Sequence, residues 1–154
     1  MSDLPYAFSI QSDVPLSAPV VWSRVSTFLG VNYELMPWLR MTVPSAMEAR
    51  SVMEAPLGEP IFASWLLFAG VLPIDRHIFQ LEEAEEGRFL ERSSSWLHAV
   101  WRHERRVVAT ETGCRVSDEL QFCPRLRFLG HLVLPIVRAV FAHRHRRLCR
   151  WARR

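Results

Sequence analysis

The residues best suited to chemistry are His103, Asp118, Arg105 and Arg144, because Asp118 and Arg144 fall in stripes that are otherwise apolar and His103 and Arg105 share the face one hairpin away from Asp118. Trp101, His103, Arg105 and Val107 alternate along one strand face, and Val116, Asp118, Leu120 and Phe122 along the next. The second face is mostly apolar, so it is expected to turn inward and carry Asp118 with it. A buried carboxylate needs a partner, and Arg105, one hairpin away, is the obvious candidate. His103 beside this pair is a candidate acid/base, with Asp118 as its candidate catalytic partner.

Arg144 repeats the anomaly on a helix. It lies in the stripe Val137, Phe141, Arg144, Leu148 and Trp151, where a leucine is expected. An arginine there either extends to solvent or meets an acid, and Asp75, Glu91 and Asp118 are the acids to choose from. His77 alternates with Asp75 and Phe79 and joins the same candidate cluster. Two readings stay open. In one, these polar residues form ion pairs that clamp helix to sheet. In the other, with Trp101, Phe141 and Leu148, they line the deep end of a pocket and orient a ligand carbonyl or hydroxyl.

His143 and His145 are two apart on a helix and do not face one another. With no third or fourth ligand evident, no metal is expected. The sequence holds no GxSxG, P-loop or dinucleotide fingerprint, and no cofactor is expected.

The elements that must position these residues are legible as changes of period. Tyr6 to Val14 alternates and reads as a strand. Ser17-Ala18-Pro19 starts a helix, with Val21, Val25, Phe28 and Leu29 as its apolar stripe and Gly30 as its stop. A second short helix over Asn32 to Met36 ends before Pro37. Residues 39–58 are broken by Pro44, Pro56 and Gly58 and read partly as loop. Strands are expected over Ile61–Phe68, Ile74–Glu82, Phe89–Trp96, Val100–Val108 and Arg115–Phe122. The first of these is apolar on both faces, as in a strand covered on both sides. Short turns at Glu85-Glu86-Gly87 and Glu111-Thr112-Gly113 make the run an antiparallel meander. Pro135 then fits the first turn of a long amphipathic helix of about four or five turns. A sheet with one apolar face must cover it, and this helix is the cover available.

The totals agree with one α+β domain over residues 1–154. Of the 154 residues, 49% are apolar, enough for a core without disulfides or metals. The 3 cysteines are odd in number and show no CxxC spacing, which points to a reducing cytoplasm. The N-terminus, with Asp3, Pro5 and Asp13, lacks the form of a signal peptide. The stretch from Ile61 to Ile74 is too short and too broken to cross a membrane. All 19 basic side chains are arginine, and every acid lies at or before Glu119.

Four local patterns carry a family resemblance: Glu34-Leu35-Met36-Pro37-Trp38-Leu39-Arg40-Met41, Gly70-Val71-Leu72-Pro73-Ile74-Asp75, Trp101-Arg102-His103-Glu104-Arg105, and Phe141-Ala142-His143-Arg144-His145-Arg146-Arg147-Leu148. Together with the element order, they make the chain resemble the START-like (SRPBCC, helix-grip) superfamily, which includes polyketide cyclase/dehydrase-like proteins, and within it an uncharacterised bacterial subgroup. The resemblance implies a curved antiparallel sheet wrapped around the C-terminal helix, with two short helices after the first strand. It also implies a pocket for a lipid, polyketide or other hydrophobic small molecule, in relatives that are variously enzymes, carriers and partner-binding proteins. No catalytic residue of a characterised cyclase maps onto this sequence. The fold does not choose among these activities.

Two functions follow as expectations. The first is binding of a hydrophobic small molecule between sheet and helix, with cyclase- or dehydrase-like activity as its extension. The second is a module that binds a protein partner or an anionic surface through Arg146, Arg147, Arg150, Arg153 and Arg154. No specific nucleic-acid partner is expected, and the sequence leaves the oligomeric state open.

Overall fold

A computed structural model describes residues 4–154; Asp3, used above in reading the N-terminus, lies outside the described residues. Strand β1 (Tyr6–Val14) leads into α1 (Ala18–Val25), α2 (Phe28–Leu35) and the short β2 (Leu39–Met41). Then come β3 (Pro60–Phe68), β4 (Leu72–Glu85), β5 (Arg88–Ser95), β6 (His98–Thr110), β7 (Gly113–Pro124) and α3 (Gly130–Ala152). The strands form one antiparallel sheet in the order β1-β7-β6-β5-β4-β3-β2. Strands β3 to β7 are the expected meander, and β1 returns to pair with β7, Tyr6 opposite Phe122 and Val14 opposite Cys114. The sheet curls around α3: this is the helix-grip arrangement that the resemblance implies.

Several local expectations are corrected. The first helix ends at Val25, not at Gly30. Thr27 restarts the chain as the cap of α2, its hydroxyl accepting from the Gly30 N–H at 3.2 Å. The new axis buries Phe28 against Phe62 and Phe79, each ring 5.0 Å away. Gly30 therefore lies inside a helix, and its role is close approach: a Cβ there would stand 2.0 Å from the Arg24 carbonyl oxygen. The second helix accordingly spans Phe28–Leu35 rather than Asn32–Met36.

Helix α3 begins at Gly130, upstream of the expected start, and runs 23 residues, so Pro135 sits inside it. Proline leaves the His131 carbonyl without its intrahelical donor. Burial of Val133 in the core holds the added turn. Strand β3 is half-exposed rather than covered on both sides. Its Trp65 lies under the Arg76 guanidinium at 4.9 Å and edge-on to Trp96 at 5.0 Å. Residues 39–58 hold β2 and two 3-10 turns, Ser45–Met47 and Val52–Glu54, with Val52 buried in the core.

Two apolar clusters share the space under α3. One gathers Val14, Trp22, Phe28, Phe79, Leu81 and Leu148. The other gathers Leu120, Phe122, Val133, Val137 and Phe141. Charged side chains lie between them.

Candidate functional site

Arg105 and Asp118 are cross-strand partners on β6 and β7, so the pleat alone turns both toward α3. Arg105 donates from Nε and Nη2 to the two oxygens of Asp118, both at 2.8 Å. Its Nη1 donates to both oxygens of Glu34 on α2, at 2.7 and 3.0 Å. Glu34 also accepts from Arg144 Nε on α3 at 2.9 Å. Arg105 and Asp118 are 0% exposed and Glu34 is 1% exposed, so one buried guanidinium ties two sheet strands to α2, and Arg144 ties α2 in turn to α3.

Three histidines extend the array. His103 Nε2 meets Asp118 Oδ1 at 2.6 Å, and its Nδ1 faces Glu91 Oε2 at 3.5 Å. Glu91 accepts from His77 Nε2 at 2.6 Å and from the Ser93 hydroxyl at 2.8 Å. On α3, His145 Nε2 meets Asp118 Oδ2 at 2.7 Å, and its Nδ1 lies 2.8 Å from the Ser12 hydroxyl on β1.

Burial alone would raise the pKa of each of these acids, and its neighbours reverse the sign. For Asp118 the Arg105 charge and hydrogen bonds, with His103, hold the carboxyl well below the usual range. Arg105 and Arg144 hold Glu34 low, and hydrogen bonds from His103 and His77 hold Glu91 low. An ionised Asp118 is acceptor-only. His145 must therefore present Nε2–H to it, while its Nδ1 faces the Ser12 hydroxyl. The connectivity is that of a Ser–His–Asp triad with the ring nitrogens exchanged. Asp118, however, already receives Arg105 twice, His103 and His145, which fills the lone-pair sites of a carboxylate.

The remaining expected residues divide. Phe141 lies edge-on to His103 with centroids 5.1 Å apart, and the Arg144 guanidinium stands 4.7 Å over its ring. Trp101, half-buried, tilts against Phe122 and Phe141. Phe79 and Leu148 belong to the other apolar cluster. Asp75 stays outside the array: it accepts from the N–H groups of Arg76 at 2.9 Å and Leu97 at 3.1 Å, joining β4 to the β5–β6 turn. Glu34, the acid that meets Arg144, was not among the expected acids. Its signal was helical spacing: it stands four residues after the buried Gly30. His145 likewise stands four residues after Phe141, on the inward stripe. Its neighbour His143 points elsewhere, to the Met36 carbonyl at 2.9 Å.

These side chains fill the space expected to be the deep end of a cavity. A groove of about 460 Å³ lies outside them, between β1 and the second half of α3, bordered by Ser12, Cys149, Arg146, Arg150 and Arg153. A smaller depression of about 250 Å³ lies on the opposite face of the sheet, between Gln80, Arg92 and Val100. Of the other C-terminal arginines, Arg147 stacks on Tyr33 at 4.3 Å and donates to its carbonyl.

A family model described as "Domain of unknown function (DUF8410)" matches residues 12–152. No curated protein matches the chain. Among solved structures, protein CV1439 from Chromobacterium violaceum is similar over 94% of this chain and 96% of its own, with TM-score 0.72 and 11% identity. A START superfamily protein from Mycobacterium smegmatis is similar over 96% and 97%, with TM-score 0.67 and 12% identity. A norcoclaurine synthase point mutant from Thalictrum flavum, in complex with a transition-state analogue, is similar over 99% and 96%, with TM-score 0.64 and 14% identity. At such identities the likeness is one of fold, and the fold is START-like.

Proposed function

This chain belongs to the DUF8410 family, and from that premise and the geometry above we propose that it binds a hydrophobic small molecule between the first half of α3 and the sheet. The observation that carries the reading is the division of the space under α3. Toward the end of α3 the layers are tied by the Arg105–Glu34–Arg144 and Asp118–His145 contacts. Toward its start no ion pair joins them among the described residues, and they meet mainly through apolar and aromatic side chains, several of them half-buried, including Tyr6, Leu97, Trp101 and Leu134, with His98 packed on Trp101 and Phe122. An apolar lining with half-buried side chains at its edge suits an apolar guest, whose own contacts replace those it displaces. The norcoclaurine synthase bound to a small molecule supports the same use of the fold.

In this reading Trp101 and Phe141 touch the ligand, while His77, Glu91, His103, Arg105, Asp118 and Arg144 form a rigid polar floor. Ligand contact by Asp75, Phe79 and Leu148 is not part of the proposal. His103 and Asp118 act as positioning residues.

The test combines organic extraction of the purified protein, with mass spectrometry of the extract, and titration with the fluorescent probe 8-anilinonaphthalene-1-sulfonate. Saturable binding is expected, and Val137→Trp, which fills the proposed space, is expected to weaken it about tenfold. Equal binding by Val137→Trp, with the fold intact by circular dichroism, would place the probe elsewhere and end the proposal.

The alternative is an anionic partner held by the C-terminal arginines. It retains Arg146, Arg150 and Arg153 on the outer groove. Salt-dependent retention on heparin, lost in Arg150→Glu, is its test.

A further inference from the structure

We propose that the end of the molecule at which α3 begins docks on an anionic lipid surface. The antiparallel meander sends alternate connections to opposite ends of the sheet. One end holds Trp38 before β2, the β3–β4 tip, the β5–β6 turn, and the 3-10 turn Arg127–Leu129 that leads into α3. The other holds the turns at Glu86 and Glu111.

The first end is apolar where loops are ordinarily polar. Val71 is 79% exposed, Phe128 72%, Leu132 65%, Trp96 64% and Trp38 58%. Direct contacts join these segments. The Ala69 N–H donates to the Trp38 carbonyl at 2.8 Å, and the Tyr6 hydroxyl to the Arg127 carbonyl at 3.2 Å. Trp96 donates its N–H to Arg76 at 3.2 Å, and Arg125 donates its own to Leu97 at 2.9 Å. Exposed apolar side chains gathered at one end of a sheet in this way mark an interaction site.

The β3–β4 tip adds an independent sign. Ala69 and Gly70 both have positive φ, 51° and 76°. Tight hairpin turns of this form favour Asn-Gly. An alanine accepts strain there, and what it avoids is a polar side chain at the outermost point.

Charge selects the occupant. Arg40, Arg125 and Arg127 are exposed at this end. The acid on these segments, Asp75, is buried and engaged with backbone N–H groups. Among the described residues, no exposed carboxylate lies on them. A second copy would set arginine against arginine. An anionic bilayer accepts arginines at its headgroups and tryptophan and phenylalanine at the interface below them. No helix among the described residues is long and apolar enough to cross a membrane, so the contact is peripheral. The face lies opposite the C-terminal arginines, because α3 runs away from it. Its existence does not depend on ligand binding.

The experiment is co-sedimentation of the full chain with vesicles of phosphatidylcholine containing phosphatidylserine, and with phosphatidylcholine alone. Wild type is expected to bind the anionic vesicles, to bind less as salt rises, and to shift its tryptophan emission to the blue. Val71→Glu with Phe128→Glu changes two exposed side chains, so the fold should survive, as circular dichroism will report. This variant is expected to bind about tenfold more weakly or less. Glu111→Gln, in the exposed turn at the opposite end, is expected to bind as wild type. No binding by wild type, binding unchanged in the tip variant, or loss only in Glu111→Gln would each overturn the proposal. So would a concentration-dependent dimer that the tip variant abolishes, which would assign the face to a second copy.

Discussion

Replacing Arg105 with methionine tests the account of the interior most sharply. The side chain keeps its apolar stem and loses four hydrogen bonds, two to Asp118 and two to Glu34, at a site with 0% exposure. Afterwards Glu34 retains Arg144, and Asp118 retains His103 and His145. Removing one member of a buried ionic array costs about 3–5 kcal/mol, because the abandoned charge cannot reach water. Against a total stability of about 5–15 kcal/mol for a domain, that is a large share. In urea at neutral pH the midpoint should fall by about 1 M or more with the slope unchanged.

The pH dependence supplies the sign. In the wild type, Asp118 and Glu34 are held below their unfolded values, about 4. Their contribution is therefore complete above pH about 4 and is lost as the pH falls through the folded values. Without Arg105, burial prevails and raises both. A group raised above its unfolded value gains stability as the pH falls toward that value. The deficit of Arg105→Met should thus shrink between pH 7 and pH 4, measured by circular dichroism and tryptophan fluorescence. A deficit below about 1 kcal/mol, or one that is constant with pH, would refute the clamp.

His98 is pushed down to about 4 by burial, against Asp75, which raises it. The unfolded chain, with an ordinary value near 6.5, then binds more protons between about pH 6.5 and 4, so stability should drop across that window as the pH falls. His98→Phe keeps a ring against Trp101 and Phe122, each 5.1 Å away, and removes the unpartnered Nδ1. The acid loss, about 2–3 kcal/mol by pH 4, should disappear in chemical denaturation; its persistence would mean that another group carries it. Gly30→Ala should lower the thermal midpoint by an amount equivalent to about 1–3 kcal/mol, although Ala is normally the better helix former. A stabilised Gly30→Ala would show that α1 and α2 do not approach as closely as 2.0 Å from Cβ to carbonyl oxygen requires.

What the sequence determined by itself was whatever is periodic. Alternation placed His103, Arg105 and Asp118 on inward faces and matched Arg105 to Asp118 across one hairpin, because strand pleat and short turns leave little choice of register. Helical spacing put Arg144 on the buried stripe. Tertiary structure decided which distant groups would meet. Glu34 is 71 residues from Arg105 and 110 from Arg144, and no local pattern pairs them. Ser12 reaches His145 across 133 residues only because β1 returns to the edge of the sheet beside α3. The break at Thr27 rather than Gly30 came from packing Phe28 on Phe62 and Phe79. The filling of the deep cavity followed from these long-range ion pairs. Periodicity records which way a side chain points; what stands opposite it is set by how curved layers close.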